Sequence, residues 1–187
     1  MLRIAVMVGG HGRGSNLQAI LDACADRRIS GLVVVVIGTR SDAPALERAR
    51  AAGVPVAVIS PRKYEGDDEG YGAALLRVLS KYAVDLVCLA GYMRILPHCV
   101  VRAFNLRIMN IHPALLPLFG GRGMYGERVH QAVLDSGMKV SGCTVHLVDE
   151  EYDTGPIVAQ TAVQVDDNDT PATLAARVVE EIGRAHV

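Results

Sequence analysis

Two short polar segments of the chain carry side chains whose types and spacing suit chemistry at a carbonyl group. The first holds Asn110 and His112, and the second holds Asp153 ahead of a Gly-Pro turn. In an extended strand, side chains two residues apart leave the same face, so Asn110 and His112 point to one spot. If the fold brings Asp153 against His112, the set supplies a hydrogen-bond donor, a proton-carrying ring and a carboxylate that favours the charged ring. We therefore predict a catalytic site at Asn110, His112 and Asp153.

Each of these residues also has a purely structural interpretation. His112 precedes a proline and would serve as a hydrogen-bonded histidine that ends a strand. Asp153 would serve as a solvated acid in a turn. The functional prediction therefore depends on the combination of the three side chains and not on any one of them.

A second candidate site is the glycine-rich segment at residues 9–17, between the first predicted strand and the first predicted helix. Glycines let backbone N–H groups approach an anion closely, and the helix N-terminus adds the positive end of its dipole. We predict a phosphate site here, and a tight turn capped by Ser15 is the alternative. A dinucleotide site is disfavoured, because Gly-x-Gly-x-x-Gly fits no register and residues 38–40 lack the expected ribose-binding acid.

We predict no metal site, although His112 and His146 would be the pair to approach each other in space. The histidines show no pair at the spacing of metal ligands. Those considered are His11, His98, His112, His130 and His146.

The elements that must position these residues alternate along the chain. Apolar runs rich in Val and Ile predict buried strands at Leu2 to Val8, Leu32 to Ile37, Val54 to Ile59 and Val84 to Ala90. Helical patterns fill the gaps at Ser15 to about Arg27, Pro44 to about Ala52, and Gly72 to Tyr82. Later strands are predicted at about Arg107 to Ile111, Gly142 to Val148 and Ile157 to Gln164, with a short helix near Glu127 to Asp135. This order predicts an α/β fold, an open, mostly parallel twisted sheet with helices on both faces.

Length, composition and charge limit the classes of function that the chain can have. The chain has 187 residues, half of them hydrophobic, which suits one well-buried domain. Its formal net charge of −1 predicts no nucleic-acid partner and no anionic membrane partner. No apolar run approaches the length of a membrane span, and the cysteines form no Cys-x-x-Cys pair. We therefore expect a cytoplasmic protein. The sequence leaves a monomer and a homodimer both open.

Four segments together resemble a known family. Asn-x-His-Pro-x-Leu-Leu-Pro at 110–117, followed by Asp-x-Gly-Pro at 153–156, resembles the formyltransferases that use 10-formyltetrahydrofolate. Gly-Ser-Asn-Leu-Gln at 14–18 and Gly-Tyr-Met-Arg-Ile-Leu at 91–96 resemble the branch whose acceptor is glycinamide ribonucleotide, a reaction of purine synthesis. The resemblance implies a Rossmann-like fold over residues 1–181, two small-molecule substrates and no metal.

The resemblance also implies roles for individual residues. The phosphate of the acceptor would be bound by Gly14, Ser15 and Asn16. The folate would be bound by Met93, Arg94, Ile95, Leu96 and Asn110. His146 would support the catalytic site from the next strand. For the reaction, we expect Asn110 and a protonated His112 to stabilise the oxyanion, and Asp153 to raise the pKa of His112 and accept the amine proton directly or through water. His112 would then protonate the departing folate nitrogen.

Two departures from the family pattern stand out. Relatives carry a basic residue that contacts folate ahead of the third helix, whereas residues 66–70 here are glycine and acid, leaving only Arg62 and Lys63 upstream. The hexapeptide at 182–187 is the translation of a common sequencing-adapter sequence, so we expect it to be non-native, with the frame cut before a glutamate that contacts the acceptor in relatives. The glycine-rich residues 120–126 are predicted to form a lid.

Three other functions are open to this sequence. A formyltetrahydrofolate hydrolase would use water in place of the amine, but its regulatory domain is absent here. A methionyl-transfer-RNA formyltransferase would need a further basic domain. An inactive nucleotide-binding module would bind its ligands without turnover.

Overall fold

The computed structural model describes residues 1–10 and 12–185. Seven strands form one sheet in the order β3-β2-β1-β4-β5-β6-β7. The strands are β1 (Leu2–Val8), β2 (Gly31–Gly38), β3 (Val56–Val58), β4 (Leu86–Ala90), β5 (Ile108–His112), β6 (Val140–Leu147) and β7 (Ile157–Gln164). β1 pairs in parallel with β2 and β4, and β2 pairs in parallel with β3, whereas β6 and β7 are antiparallel. The predicted fold class, a mostly parallel α/β sheet, is confirmed.

Helices separate most of the strands. They are α1 (Ser15–Ala25), α2 (Pro44–Ala51), α3 (Asp68–Lys81), α4 (His98–Ala103), α5 (Glu127–Asp135) and α6 (Pro171–Ala185), with a 3₁₀ helix at Pro61–Tyr64. The segment expected to be non-native begins inside α6, and its last two residues, His186 and Val187, lie outside the described residues. No helix in the described part of the chain is long and apolar enough to cross a bilayer.

One predicted helix cap and one predicted helix start are wrong. Gly14, in the left-handed conformation with φ 77°, precedes α1, and no described side chain caps the helix, so Ser15 is its first residue and not its cap. Helix α3 begins at Asp68 and not at Gly72, because the Asp67 carboxylate accepts a 2.8 Å hydrogen bond from the Gly70 N–H. The acidic first turn of α3 also favours this start through the helix dipole.

The described contacts group the chain into two compact parts, residues 1–109 and 110–185. In the first part, β1 and β2 are buried along almost their whole length, as expected for parallel strands covered on both faces. Leu17 and Ile20 of α1 and Leu46 of α2 pack against them in one apolar core. Each such side chain contributes about 1.5–3 kcal/mol when fully buried.

The second part has its own core. Helix α6 packs on β6, β7 and α5, and Leu174 and Val178 of α6 lie buried with Val133 of α5 and Cys143 of β6. These α6 residues are four apart, so they share one face of the helix. This packing fixes β6 and β7 beside the polar residues described next.

Candidate active site

Four polar side chains of the second part come together at the ends of its strands. Asn110 and His112 lie on β5, His146 lies on β6, and Asp153 lies in the loop between β6 and β7. Asp153 has a left-handed backbone with φ 57°, and its Oδ2 accepts a 3.0 Å hydrogen bond from the N–H of Gly121. The turn conformation and this hydrogen bond fix where the carboxylate lies.

The Asp153 carboxylate bridges two histidines. Its Oδ2 lies 3.5 Å from His112 Nδ1, and its Oδ1 lies 3.5 Å from His146 Nε2. All three side chains are largely withdrawn from solvent, with exposed fractions of 4% for His112, 2% for His146 and 11% for Asp153. Charges in such a poorly hydrated setting interact more strongly than on the surface.

The backbone of the following loop fixes the tautomer of His112. Its Nε2 lies 2.8 Å from the carbonyl oxygen of Phe119. A carbonyl oxygen only accepts hydrogen bonds, so Nε2 carries a proton and donates it. The Nδ1 atom, which faces Asp153, is therefore the nitrogen that takes up or releases a proton.

The pKa of His112 differs from the sequence expectation. Burial lowers the pKa of His112 below its ordinary value, and the charge of Asp153 together with the Phe119 hydrogen bond raises it without overcoming the burial. Asp153 therefore raises the pKa of His112 as expected, but desolvation of the ring outweighs this effect, so the expectation of a protonated His112 is wrong. For Asp153, burial acts to raise the pKa, but the contact with the His146 ring, the His112 charge and the Gly121 N–H together lower it.

His146 orients Asn110. The Nδ1 of His146 donates to the carbonyl of Leu147 at 2.9 Å, so in the neutral ring Nε2 has a free lone pair. That lone pair accepts a 3.1 Å hydrogen bond from the side-chain amide nitrogen of Asn110. His146 thus contacts both Asn110 and Asp153, which fits the supporting position expected for it.

A buried hydroxyl holds the chain that follows His112, and sequence reasoning missed it. Thr144 Oγ1 donates to the Ala114 carbonyl at 2.7 Å and accepts from the Leu116 N–H at 3.0 Å. Gln160, which is paired with Thr144 between β6 and β7, donates to the same hydroxyl and to the Leu116 carbonyl, both at 3.0 Å. Thr144 lies two residues before His146, and side chains two residues apart in a strand leave the same face. This spacing is the sequence signal that places Thr144 on the same face as His146.

A fifth polar residue, His130 of α5, is also buried and was considered only as a metal ligand. Its side chain is 3% exposed, and its Nδ1 has no hydrogen-bond partner among the described residues. Burial first, and then the charge of His112, lower the pKa of His130. Within residues 1–10 and 12–185, no group of three histidines, cysteines or acids is arranged to hold a metal ion.

The predicted phosphate loop lies in the first part of the chain, between β1 and α1. A Cβ atom at Gly14 would lie 2.9 Å from the Cα of Ala45, so only glycine fits against α2 at this point. Arg48 of α2 donates from Nε to the Arg13 carbonyl at 2.8 Å and from Nη1 to Gln18 at 3.1 Å. Ser15 and Asn16 begin α1, where backbone N–H groups are left without helical acceptors.

The predicted folate segment also lies in the first part, between β4 and α4. Met93 and Ile95 are exposed by 59% and 45%, Arg94 is exposed, and Leu96 is buried. Apart from the resemblance, a segment of this kind is also typical of a hydrophobic entry to a helix, and α4 does begin at His98, just after it. Two exposed apolar side chains beside a cation provide a surface for a flat, anionic ligand.

Comparisons with known proteins point to one family. The family model described as "Formyl transferase" matches residues 2–186. The chain is 49% identical over 185 residues to "Phosphoribosylglycinamide formyltransferase, chloroplastic" of Arabidopsis thaliana, a match that covers 99% of this chain and 63% of that protein. It is 42% identical to "Trifunctional purine biosynthetic protein adenosine-3" of Bos taurus, covering 94% of this chain and 17% of that protein.

Solved structures agree in fold. The crystal structure of glycinamide ribonucleotide transformylase 1 from Symbiobacterium toebii superposes with a TM-score of 0.90 at 48% identity, covering 98% of this chain and 83% of that chain. Phosphoribosylglycinamide formyltransferase from Brucella melitensis superposes with a TM-score of 0.89 at 40% identity, covering 99% and 91%. The chain spans less than two thirds of the length of the plant relatives, 63% and 58% of the two.

Proposed function

The chain belongs to the formyl transferase family, and on this basis we propose that it is an enzyme that transfers the formyl group of 10-formyltetrahydrofolate to the amine of glycinamide ribonucleotide. The observation that carries the proposal is the largely buried carboxylate of Asp153, which faces His112 on one side and His146 on the other. The Asn110 amide beside them provides a neutral hydrogen-bond donor. A donor, a ring and a carboxylate are the groups that this reaction needs.

The carbonyl step uses Asn110 and His112. When the amine attacks the formyl carbon, the formyl oxygen gains negative charge and needs preorganised donors. The side-chain N–H of Asn110 and the Nε2–H of His112 fill that role. Each donor of this kind typically accounts for about 100-fold to 1000-fold in rate.

The proton transfers use His112 and Asp153. The attacking amine must lose a proton, and the folate nitrogen that leaves must gain one. Asp153 accepts the amine proton directly or through water. A neutral His112 ring then gives its Nε2 proton to the folate nitrogen while its Nδ1 takes a proton from Asp153, so the ring charge is unchanged overall. This route requires no rise in the pKa of His112.

Substrate binding is assigned to the first part of the chain. We propose that backbone N–H groups at Gly14, Ser15 and Asn16 bind the phosphate of the ribonucleotide. We further propose that Met93 to Leu96 contact the folate. The reaction needs no metal. Both substrates are water-soluble, and the four cysteines are all free, which fits a reducing compartment such as the cytoplasm.

The experiment that tests the function is formyl transfer by the purified chain. Protein is incubated with 10-formyltetrahydrofolate, with and without glycinamide ribonucleotide, and the formylated product is identified by mass. Acceptor-dependent product is expected. Formate release at the same rate without acceptor would instead make the protein a hydrolase, and binding of both substrates without turnover would make it an inactive binding module.

A further inference from the structure

The predicted phosphate loop between β1 and α1 is joined to α2 by a side chain that has no role in the proposed reaction. Arg48 of α2 extends to the turn before α1, where its Nε donates a 2.8 Å hydrogen bond to the carbonyl oxygen of Arg13. The two residues are 35 apart in sequence, so this bond is a tertiary contact and not part of either helix. Arg48 is exposed, so hydrogen bonds and not burial hold its guanidinium in place.

The same guanidinium also contacts the first turns of α1. Its Nη1 donates to Gln18 Oε1 at 3.1 Å, and Gln18 Nε2 donates in turn to Asp22 Oδ1 at 2.8 Å. The bond to Asp22 fixes the Gln18 amide with its oxygen free to accept from Arg48. A planar guanidinium donates in fixed directions, so it reaches both the Arg13 carbonyl and the Gln18 amide only in a defined orientation. Arg48 therefore fixes the loop relative to α1.

The bond to Arg13 determines the direction of the next backbone N–H. The peptide between Arg13 and Gly14 is planar and trans, so its C=O and its N–H point in opposite directions. Because the carbonyl is directed at Arg48, the Gly14 N–H points away from the guanidinium. Gly14 also lies against α2, since a Cβ atom there would be 2.9 Å from the Ala45 Cα and 3.1 Å from the Arg48 Cδ. Rotation of this peptide would break the hydrogen bond to Arg48.

We propose that Arg48 is a positioning residue for the phosphate of the acceptor, an inference that rests on the proposed function. The Gln18 N–H donates to the Gly14 carbonyl at 2.9 Å and so begins the helical hydrogen bonds of α1. The N–H groups of Ser15 and Asn16 come before this bond and are available to an anion. By holding the preceding carbonyl, Arg48 gives the Gly14 N–H a fixed direction as well. The loop then binds the phosphate without first having to become ordered, which improves affinity.

The test is equilibrium binding of glycinamide ribonucleotide to the full chain, measured by calorimetry without the folate donor. Arg48→Gln removes the guanidinium, and the matched control Arg50→Gln removes an arginine of the same helix that pairs with Glu47. Both arginines are exposed, so both variants should fold, which circular dichroism checks. We expect Arg48→Gln to weaken ribonucleotide binding roughly tenfold and Arg50→Gln to change it less than about twofold.

An acceptor without a phosphate separates positioning of the loop from a general structural defect. The kinetic constants are compared for glycinamide ribonucleotide and for the corresponding ribonucleoside. Arg48→Gln should lower kcat/KM for the ribonucleotide roughly tenfold through a higher KM, and should change kcat/KM for the ribonucleoside and the KM of the folate donor less than about twofold. Equal losses with both acceptors would overturn the inference, because a distorted protein loses activity toward both alike.

Gln18→Ala separates positioning from simple attraction between charges. This variant keeps the Arg48 charge and removes one of its two hydrogen-bond acceptors. The affinity for the ribonucleotide should fall roughly threefold or more. Adding Arg48→Gln to it should weaken binding no further than Arg48→Gln alone, because both changes act through the same contacts. An unchanged affinity in Gln18→Ala would show that the charge alone acts and would overturn the positioning role.

The inference and the proposed function fail on different results. A chain that binds no ribonucleotide, or whose Arg48→Gln variant binds it as tightly as the unaltered chain, contradicts the role of Arg48. If the formylated product still forms, the proposed function stands. A chain in which Arg48→Gln weakens binding but no formyl group is transferred supports the role of Arg48 and contradicts the function.

Discussion

His112 has different partners on its two ring nitrogens, and that difference separates two tasks. The Nε2–H donates to a backbone oxygen at 2.8 Å, whereas Nδ1 lies 3.5 Å from a carboxylate. The first nitrogen is therefore the proton donor and the second is the proton acceptor. A side chain that replaces His112 must perform both tasks to support turnover.

Replacing His112 with glutamine should remove most turnover, while the affinities for the two substrates, the folate formyl donor and the ribonucleotide acceptor, should change by less than about twofold. Glutamine keeps an amide donor but cannot pass a proton, and proton transfer by a positioned side chain typically contributes about 100-fold to 10,000-fold. The measurements are kcat and equilibrium donor affinity, with the exposed His98→Gln as a control expected to behave normally. A His112→Gln protein that keeps more than a tenth of its turnover would contradict the assigned role.

Replacing Asp153 with asparagine isolates the charge at this position, because asparagine tolerates the left-handed backbone with φ 57°. The pKa of His112 should fall further, since the Asp153 charge is what raises it against burial. The pKa is read from the pH dependence of the His112 ring protons by NMR, and kcat should fall in parallel. An unchanged or higher His112 pKa would show that the carboxylate does not act on the ring.

At the scale of elements, β6 and β7 hold the loop after β5 through the Thr144 hydroxyl and the Gln160 amide. Thr144→Val should leave the Leu116 N–H and the Gln160 amide without that partner in a buried setting. The expected loss in the free energy of unfolding is about 1–3 kcal/mol. Urea unfolding measures it, and Thr144→Ser, which keeps the hydroxyl, should recover most of the loss. A Thr144→Val protein as stable as the unaltered chain would show that the hydroxyl does not hold the loop.

Sequence patterns predicted the elements wherever the local signal was strong. The long apolar runs gave β1 and β2, and the bounds of α5 and β7 agree with the sequence prediction. Helix α4 was missed because six residues are too few to establish a helical period. Thr144 and Gln160 were missed because their contacts join separate segments, and the spacing of Thr144 and His146 on one strand does not reveal those partners. The net lowering of the His112 pKa was missed because it depends on burial, which the motif does not reveal.

For the whole molecule, two buried histidines make stability depend on pH. The pKa values of His112 and His130 are lowered in the folded chain, so the unfolded chain takes up protons more readily at the ordinary value near 6.5. Their contribution to stability is therefore present above pH 6.5 and is lost as pH falls toward the folded pKa values. The lowered pKa of Asp153 acts in a more acidic range, below its ordinary value of 3.8.

The free energy of unfolding should accordingly decrease between about pH 7.5 and pH 5.5, by about 1.4 kcal/mol for each unit that separates a folded from an unfolded pKa. His130→Phe should flatten this dependence, because phenylalanine fills the space without titrating and the Nδ1 of His130 has no partner among the described residues to lose. Chemical unfolding at several pH values measures the slope, with His98→Gln as the control. An unchanged slope in His130→Phe would exclude His130 as a source of the pH dependence.

The hydrogen bond from His112 to Phe119 also bears on how the site distinguishes a substrate from a transition state. Under the proposed mechanism, the Phe119 oxygen competes with the formyl oxygen for the same proton. When a neutral formyl oxygen displaces the Phe119 oxygen, one hydrogen bond replaces a similar one, so the binding free energy changes little. An oxygen that carries negative charge forms a bond roughly twice as strong and displaces the backbone with a net gain. The Phe119 oxygen thus cancels much of the affinity that His112 would add for unreacted 10-formyltetrahydrofolate. The hydrogen bond from His112 therefore contributes mainly in the transition state, where the formyl oxygen carries negative charge.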